Sequence, residues 1–238
     1  MKVDILAFGA HPDDVELSAS GTLFKYINQG KKAAIVDLTE GELGSRGTNI
    51  TRSNEANLAA SILGIEARVN LNLGDGFFEY NQENLIKVVE QIRFFKPEIV
   101  FANAIDDRHP DHGKGSKLVS DACFLSGLLK IKTNYQGESQ VHHRPKVVYH
   151  YIQDRYIKPD FVIDVSEFIK LKFEAIFAYK TQFYNPEMEG PQTPISSEKF
   201  IDFLKGRMAT MGREIDVPFA EGFTVERTIG VNNLFDLI

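Results

Sequence analysis

The chain has 238 residues, 43% of them hydrophobic and 25% charged, with one cysteine and a formal net charge of -6. That length buries a full core without staples, and a lone cysteine excludes an intrachain disulfide framework and any zinc site built on several thiolates. The acidic balance argues against general nucleic-acid or anionic-membrane binding, and the hydrophobic content argues against disorder. The apolar run at the N-terminus is too short for a signal peptide, and no later stretch approaches a membrane span. The expectation is a cytoplasmic protein with neither nucleic acid nor membrane as partner.

Strand and helix signals alternate through the first half. Val3 to Phe8 is a short apolar run that predicts a buried strand, and Ser18 to Gln29 carries Leu23, Phe24 and Ile27 at helical spacing before Gly30. Ala33 to Leu38 predicts a second strand, followed by a loop with Gly41, Gly44 and Gly47. Thr51 or Ser53 is the expected cap of a helix ending at Gly64. Arg68 to Leu73 and Glu98 to Ala102 read as further strands, separated by a helix from Glu83 to Phe95 with Ile86, Val89 and Ile92 on one stripe. A polar loop from Asn103 to His112 precedes a helix expected over Lys117 to Leu129. Strands separated by single helices point to a Rossmann-like, doubly wound α/β fold: a mostly parallel sheet with helices on both faces.

The second half is less regular. Lys130 to Arg144 reads as a polar loop, Val147 to Ile152 and Phe161 to Val165 as strands, and Ser166 as the cap of a helix running to about Lys180. Residues 185–194 hold three prolines and a glycine and predict a loop, after which Ser196 or Ser197 opens a last helix to about Met211.

Two polar clusters follow the first and fourth strands: His11-Pro12-Asp13-Asp14-Val15-Glu16 and Arg108-His109-Pro110-Asp111-His112. In a sheet ordered 3-2-1-4 those strands are neighbours, and their carboxyl ends flank the crevice where such folds bind ligands. Imidazole and carboxylate suit zinc, and a catalytic zinc keeps three protein ligands with one position open. His11 and Asp14, three apart across a turn stiffened by Pro12, provide two ligands and His112 the third. Asp13 then sits beside the metal as a general base. Another divalent ion such as Fe(II) suits the same donors.

The paired motifs resemble those of the PIG-L/LmbE-like zinc N-deacetylases, and the resemblance continues through Gly41 to Thr48, Arg52, Asp75-Gly76, His143-Arg144-Pro145, Gln182-Phe183 and Ala220-Glu221. It is nearest the bacillithiol-biosynthesis branch, whose substrate is N-acetyl-glucosaminyl-L-malate. The resemblance implies one Zn2+ per subunit on His11, Asp14 and His112, with Asp13 as the base. It also implies that His109, as imidazolium, steadies the oxyanion or protonates the leaving amine, and that Asp111 orients a neighbouring histidine. Arg52 matches an arginine near the substrate, and Arg52 with Arg108 is suited to the two malyl carboxylates. Ser20 stands where many relatives have glycine, with no loss of chemistry expected. A homo-oligomer, trimer or hexamer, is implied as well. On this reading residues 1–238 form one domain, in which 1–130 are the metal-site core and 131–238 elaborate substrate and oligomer contacts.

Several features weigh less. Glu16 reads either as a helix cap or as a hydrogen-bond partner of a ligand, Cys123 as an inert buried thiol, and His142, His143 and His150 as loop and strand residues. A dinucleotide-binding module is disfavoured because Gly9-Ala10-His11-Pro12-Asp13-Asp14 puts two carboxylates where a pyrophosphate would lie. The donors are too few for a two-metal phosphoesterase. Deacetylation of another N-acetylglucosamine conjugate such as chitobiose, or carbohydrate binding without catalysis, are the alternatives.

Overall fold

The computed structural model describes residues 1–237. In chain order the first half comprises β1 (Ile5–Gly9), α1 (Asp14–Asn28), β2 (Ala33–Asp37), α2 (Asn49–Leu63), β3 (Ala67–Asn70), α3 (Gln82–Phe95), β4 (Ile99–Ala102) and α4 (Pro110–Ser126). The second comprises β5 (Asn134–Tyr135), β6 (Glu138–Ser139), β7 (Val147–Tyr151), β8 (Phe161–Asp164), α5 (Ile169–Phe177), α6 (Glu198–Arg213) and β9 (Ala220–Val225).

β1 and β2 are buried at every position, as strands covered on both faces must be. The seven-stranded sheet runs β3-β2-β1-β4-β7-β9-β8, parallel from β3 to β7, with β9 antiparallel to both β7 and β8. Alternate side chains feed two cores. Leu6, Phe8, Val36 and Val100 meet Val88 and Ile92 of α3 and Leu118 of α4. Ile5, Ala7 and Ile35 meet Leu23 and Phe24 of α1, Ala175 of α5, Tyr151 and Phe223. The expected doubly wound sheet is therefore present, and residues beyond 130 supply three of its seven strands.

Helix starts differ from the sequence expectation in instructive ways. α1 begins at Asp14 rather than Ser18, with Asp14 and Glu16 in a first turn that favours negative charge. α2 is capped by Thr48, not Thr51 or Ser53. Thr48 accepts from the Thr51 amide, and the Thr51 hydroxyl accepts in return from the Thr48 amide. α4 begins at Pro110, seven residues before Lys117, so His109 to His112 form the cap and first turn of a helix rather than the end of a loop. Pro110 suits that position because the first helical N–H has no partner to lose. The segment after Ser166 opens as a 3-10 turn and becomes α5 only at Ile169, while Ser197 caps α6. Residues 185–194 contain no helix or strand, and the expected loop 130–144 carries the small β5–β6 hairpin. Among the described residues no helix is long and apolar enough to cross a membrane.

Candidate metal centre and its cleft

β1 and β4 are adjacent and parallel, so the loops leaving their carboxyl ends meet. The turn after β1 is tight. Asp13, at φ 118°, occupies a left-handed conformation that L residues rarely adopt and that needs surrounding structure to hold it. Its neighbour Asp14 turns inward, where its Oδ2 accepts the His11 backbone N–H at 2.9 Å.

His11, Asp14 and His112 are all buried and mutually close. His112 Nε2 lies 3.1 Å from Asp14 Oδ1, and His11 Nδ1 lies 3.6 Å from Asp14 Oδ2. Ligands about 2.0 Å from a tetrahedral ion are about 3.3 Å apart, so these separations suit a metal of that kind. The three imidazoles of His11, His109 and His112 bring one nitrogen each within 4.8 Å of one another, and His11, Asp75 and Asp111 form a second such group. The donors are nitrogen and oxygen, which fits zinc or Fe(II).

Partners beyond these donors fix their orientation, as metal-site histidines and carboxylates require. His112 Nδ1 faces Asp107 Oδ2 at 2.5 Å, leaving Nε2 toward Asp14. Asn103 Nδ2 donates to Asp14 Oδ2 at 2.9 Å, and Gln153 Nε2 donates to Asp14 Oδ1 at 3.0 Å. Asp111 Oδ2 lies 3.4 Å from His11 Nε2, accepts the Gly76 N–H at 2.7 Å, and its Oδ1 meets Lys114 at 2.7 Å. Asp75 Oδ1 is closer to His11 Nε2, at 3.0 Å.

The charges are strongly coupled. Burial opposes protonation of His11, but Asp111, Asp14 and Asp75 outweigh it and raise its pKa well above the ordinary value. His112 likewise rises to about 9, with Asp14 and Asp107 overcoming burial. Burial favours the neutral acid at Asp14, yet the two imidazoles hold it well below the carboxylate range. Asp13 goes the other way: burial pushes it up to about 7, against the pull of Arg52. His109 is lowered by burial and by the neighbouring His11 and His112.

His109 caps α4, and its Nδ1 accepts the Asp111 N–H at 3.3 Å. A neutral ring with Nδ1 accepting carries its proton on Nε2.

The arginines are placed unequally. Arg52 is buried, donating from Nη2 to the Pro12 carbonyl at 2.6 Å and to Asp13 Oδ2 at 3.3 Å. Gly41, at φ 66°, passes so close that a Cβ would lie 3.0 Å from that nitrogen. Arg108 is half exposed and pairs with Asp154 at 2.5 Å. Arg46 is buried in the glycine-rich loop, its carbonyl accepting from Gln182. Glu16 neither caps α1 nor approaches the donors. It is fully buried, 2.5 Å from Arg68, and accepts the Tyr179 hydroxyl at 3.0 Å. Ser20, also buried, donates to the Glu16 carbonyl at 2.7 Å.

His11, Asp13, Asp14, Arg52, His109 and His112 open into a cleft of about 250 Å³, whose lining also includes Leu17, Ile195, Phe200, Leu204 and Arg207. Sequence reasoning gave no role to Asp75, Asn103, Asp107, Gln153 or Arg207. The first four follow carboxyl ends of parallel strands, the positions the fold rule singles out; Asp75-Gly76 belongs to the family resemblance, but no local motif marks the other three.

A mostly parallel sheet whose first and fourth strands deliver histidine and aspartate to one buried cluster makes a site that could hold a metal ion. The PIG-L family model, described as GlcNAc-PI de-N-acetylase, matches residues 6–123. A conserved protein of Thermus thermophilus has a crystal structure that superposes with TM-score 0.84 at 32% identity, covering 97% of this chain and 98% of that one. The diacetylchitobiose deacetylase of Thermococcus kodakarensis is 26% identical over 190 residues, 75% of this chain and 70% of its own. The 4-carboxy-2-hydroxymuconate hydratase GalB of Pseudomonas putida KT2440 shares the fold, with TM-score 0.77 at 21% identity over 98% of this chain and all of its own. The chain belongs to the PIG-L family.

Proposed function

We propose that this protein hydrolyses the acetamide of an N-acetylglucosaminyl conjugate, releasing acetate and the free amine, with N-acetyl-glucosaminyl-L-malate as its substrate. The observation that carries the reading is Asp14 held between His11 and His112, with the carboxylate of Asp13 beside it in the cleft. His11, Asp14 and His112 would hold the metal. Bound there, a divalent cation supplies Lewis acidity toward an amide carbonyl and toward a water molecule.

Asp13 takes a proton from the attacking water as the new C–O bond forms. A base with a pKa near the working pH both accepts and returns a proton, so Asp13 then delivers it to the nitrogen as the C–N bond breaks. His109 Nε2–H donates to the developing oxyanion. Arg52 keeps Asp13 in place and favours its ionised form. Asp107 and Asp111 fix the rings of His112 and His11. The apolar wall of Leu17, Phe200 and Leu204 excludes water from the sugar.

The test is acetate release by the zinc-loaded protein from N-acetylglucosaminyl-malate, diacetylchitobiose, an N-acetylglucosaminyl inositol and free N-acetylglucosamine. Highest kcat/KM on the malate conjugate supports the reading. Release only from diacetylchitobiose transfers the activity to neutral oligosaccharides. Binding of these sugars without any acetate release overturns catalysis.

A further inference from the structure

Arg52, Arg108 and Arg207 all reach the cleft, and among the described residues Arg207 alone of the three has no carboxylate within 4.0 Å. Arg52 is engaged by Asp13 and Arg108 by Asp154. Arg207 is half-buried on α6, and its single hydrogen bond runs from Nη2 to the Leu17 carbonyl at 3.3 Å. Burial pulls its pKa down to about 10, with Asp154 and Glu221 acting only at a distance. A guanidinium has five donor hydrogens in a planar fork; Arg207 spends one on Leu17, lies 5.8 Å from the centre of the Phe203 ring, and faces the cleft beside Leu17, Phe200 and Leu204 with no carboxylate to take the others.

At the metal end Asp13, Asp14 and Asp75 are matched by Arg52, His11 and His112. Among the described residues Arg207 is the cleft cation left without a carboxylate, so with the acetamide at the metal donors an anionic tail has this guanidinium to meet.

We propose that Arg207 is the specificity-determining residue of this cleft, holding a carboxylate of the aglycone. The proposal rests on the deacetylase reading for its substrate and on the unpaired guanidinium for its residue. It moves the anchoring role away from Arg52 and Arg108, whose donors already face protein carboxylates.

The experiment compares the zinc-loaded wild type with Arg207→Gln and Arg207→Lys. One arm measures acetate release from N-acetylglucosaminyl-malate and from neutral diacetylchitobiose. Loss of a charge-assisted contact predicts a KM for the malate conjugate raised about 10- to 100-fold, with kcat changed far less. The loss of kcat/KM is at least about tenfold greater for that substrate than for diacetylchitobiose, and Arg207→Lys falls between the other two proteins. Equal losses on both substrates, or none on either, overturn the proposal. The second arm needs no turnover: calorimetry measures the deacetylated glucosaminyl-malate and methyl glucosaminide binding to each protein. Weaker binding of the malate conjugate alone supports the proposal even if the wild type releases no acetate, a result that would remove the deacetylase reading by itself. Unchanged affinity for the malate conjugate in Arg207→Lys and Arg207→Gln overturns it.

Discussion

Arg52 Nη2 lies 3.3 Å from Asp13 Oδ2, both side chains being buried, so the ionisation of Asp13 is set by a tug between burial and one guanidinium. Removing the guanidinium takes away the largest pull against burial, leaving only the weaker one of His11, and raises the Asp13 pKa above about 7. The base must be ionised to accept a proton, so the acid limb of the pH–kcat/KM profile moves to higher pH in Arg52→Gln. Activity falls most at low pH and partly recovers as pH rises. Asp13→Ala removes the base itself and should lower kcat about 100- to 10,000-fold while zinc remains bound. A profile unmoved in Arg52→Gln would falsify the coupling, and near-native kcat in Asp13→Ala would remove Asp13 from the chemistry.

His11 and His112 are expected to couple metal binding to protons. Both imidazoles are raised in the metal-free protein, His112 to about 9, so at neutral pH they are protonated and must release protons to ligate. Zinc affinity should therefore rise with pH between about 6 and 8, by roughly tenfold per pH unit for each proton released. Competition with a chromophoric chelator at several pH values measures the slope. A flat dependence would show that the rings are already neutral. His11→Ala should lose zinc on dialysis, and full occupancy with wild-type affinity would exclude it from the ligand set.

His109 differs from these two because its shift runs downward and its Nδ1 accepts a backbone N–H. As a neutral donor it is already functional above its own pKa, so kcat should show no loss as pH rises through the ordinary histidine range. His109→Ala, which removes the donor, should lower kcat about 100- to 1000-fold with a smaller change in KM. A basic limb that vanishes in this variant would instead identify an imidazolium acid.

The chemistry-bearing pairs were legible because short motifs fell at predictable strand ends. His11, Asp13 and Asp14 directly follow a buried apolar run, and the 3-2-1-4 order brings His109 and His112 beside them. The start of α4 was less legible, since Pro110 falls in the polar stretch Asn103 to His112 that reads as a loop, and the apolar helical pattern begins only at Lys117. Pro110 is harmless at the first helical position, and at Gly115 a Cβ would lie 3.0 Å from Leu38, so the glycine serves close packing. Asp107 and Gln153 act singly, each positioned by a different strand, and nothing local distinguishes them from surface polar residues; Asp75 stands in the Asp75-Gly76 segment of the resemblance, which assigns it no role. β9 was missed for a similar reason: Glu221 and Gly222 break its apolar pattern, and the partner that makes Glu221 tolerable is far away in sequence.

That partner is Lys172, and the pair supplies a stability prediction independent of the reaction. Lys172 Nζ is 2.7 Å from Glu221 Oε1 and also donates to the Glu16 and Leu17 carbonyls at 2.9 and 3.0 Å. Glu221 accepts the Gly21 and Thr22 amides at 2.9 and 2.7 Å, so the two side chains tie α5, α1 and β9 together. Both are buried, and burial lowers the Lys172 pKa even with Glu221 present. Removing one charge strands the other, which typically costs about 3–5 kcal/mol. Glu221→Gln should therefore lower Tm by about 10 °C in a protein of this size. Combining it with Lys172→Met removes the stranded ammonium and should recover part of the loss, a coupling that a double-mutant cycle in urea isolates. Additive effects of the two substitutions would mean that the ions contribute separately to packing rather than as a pair.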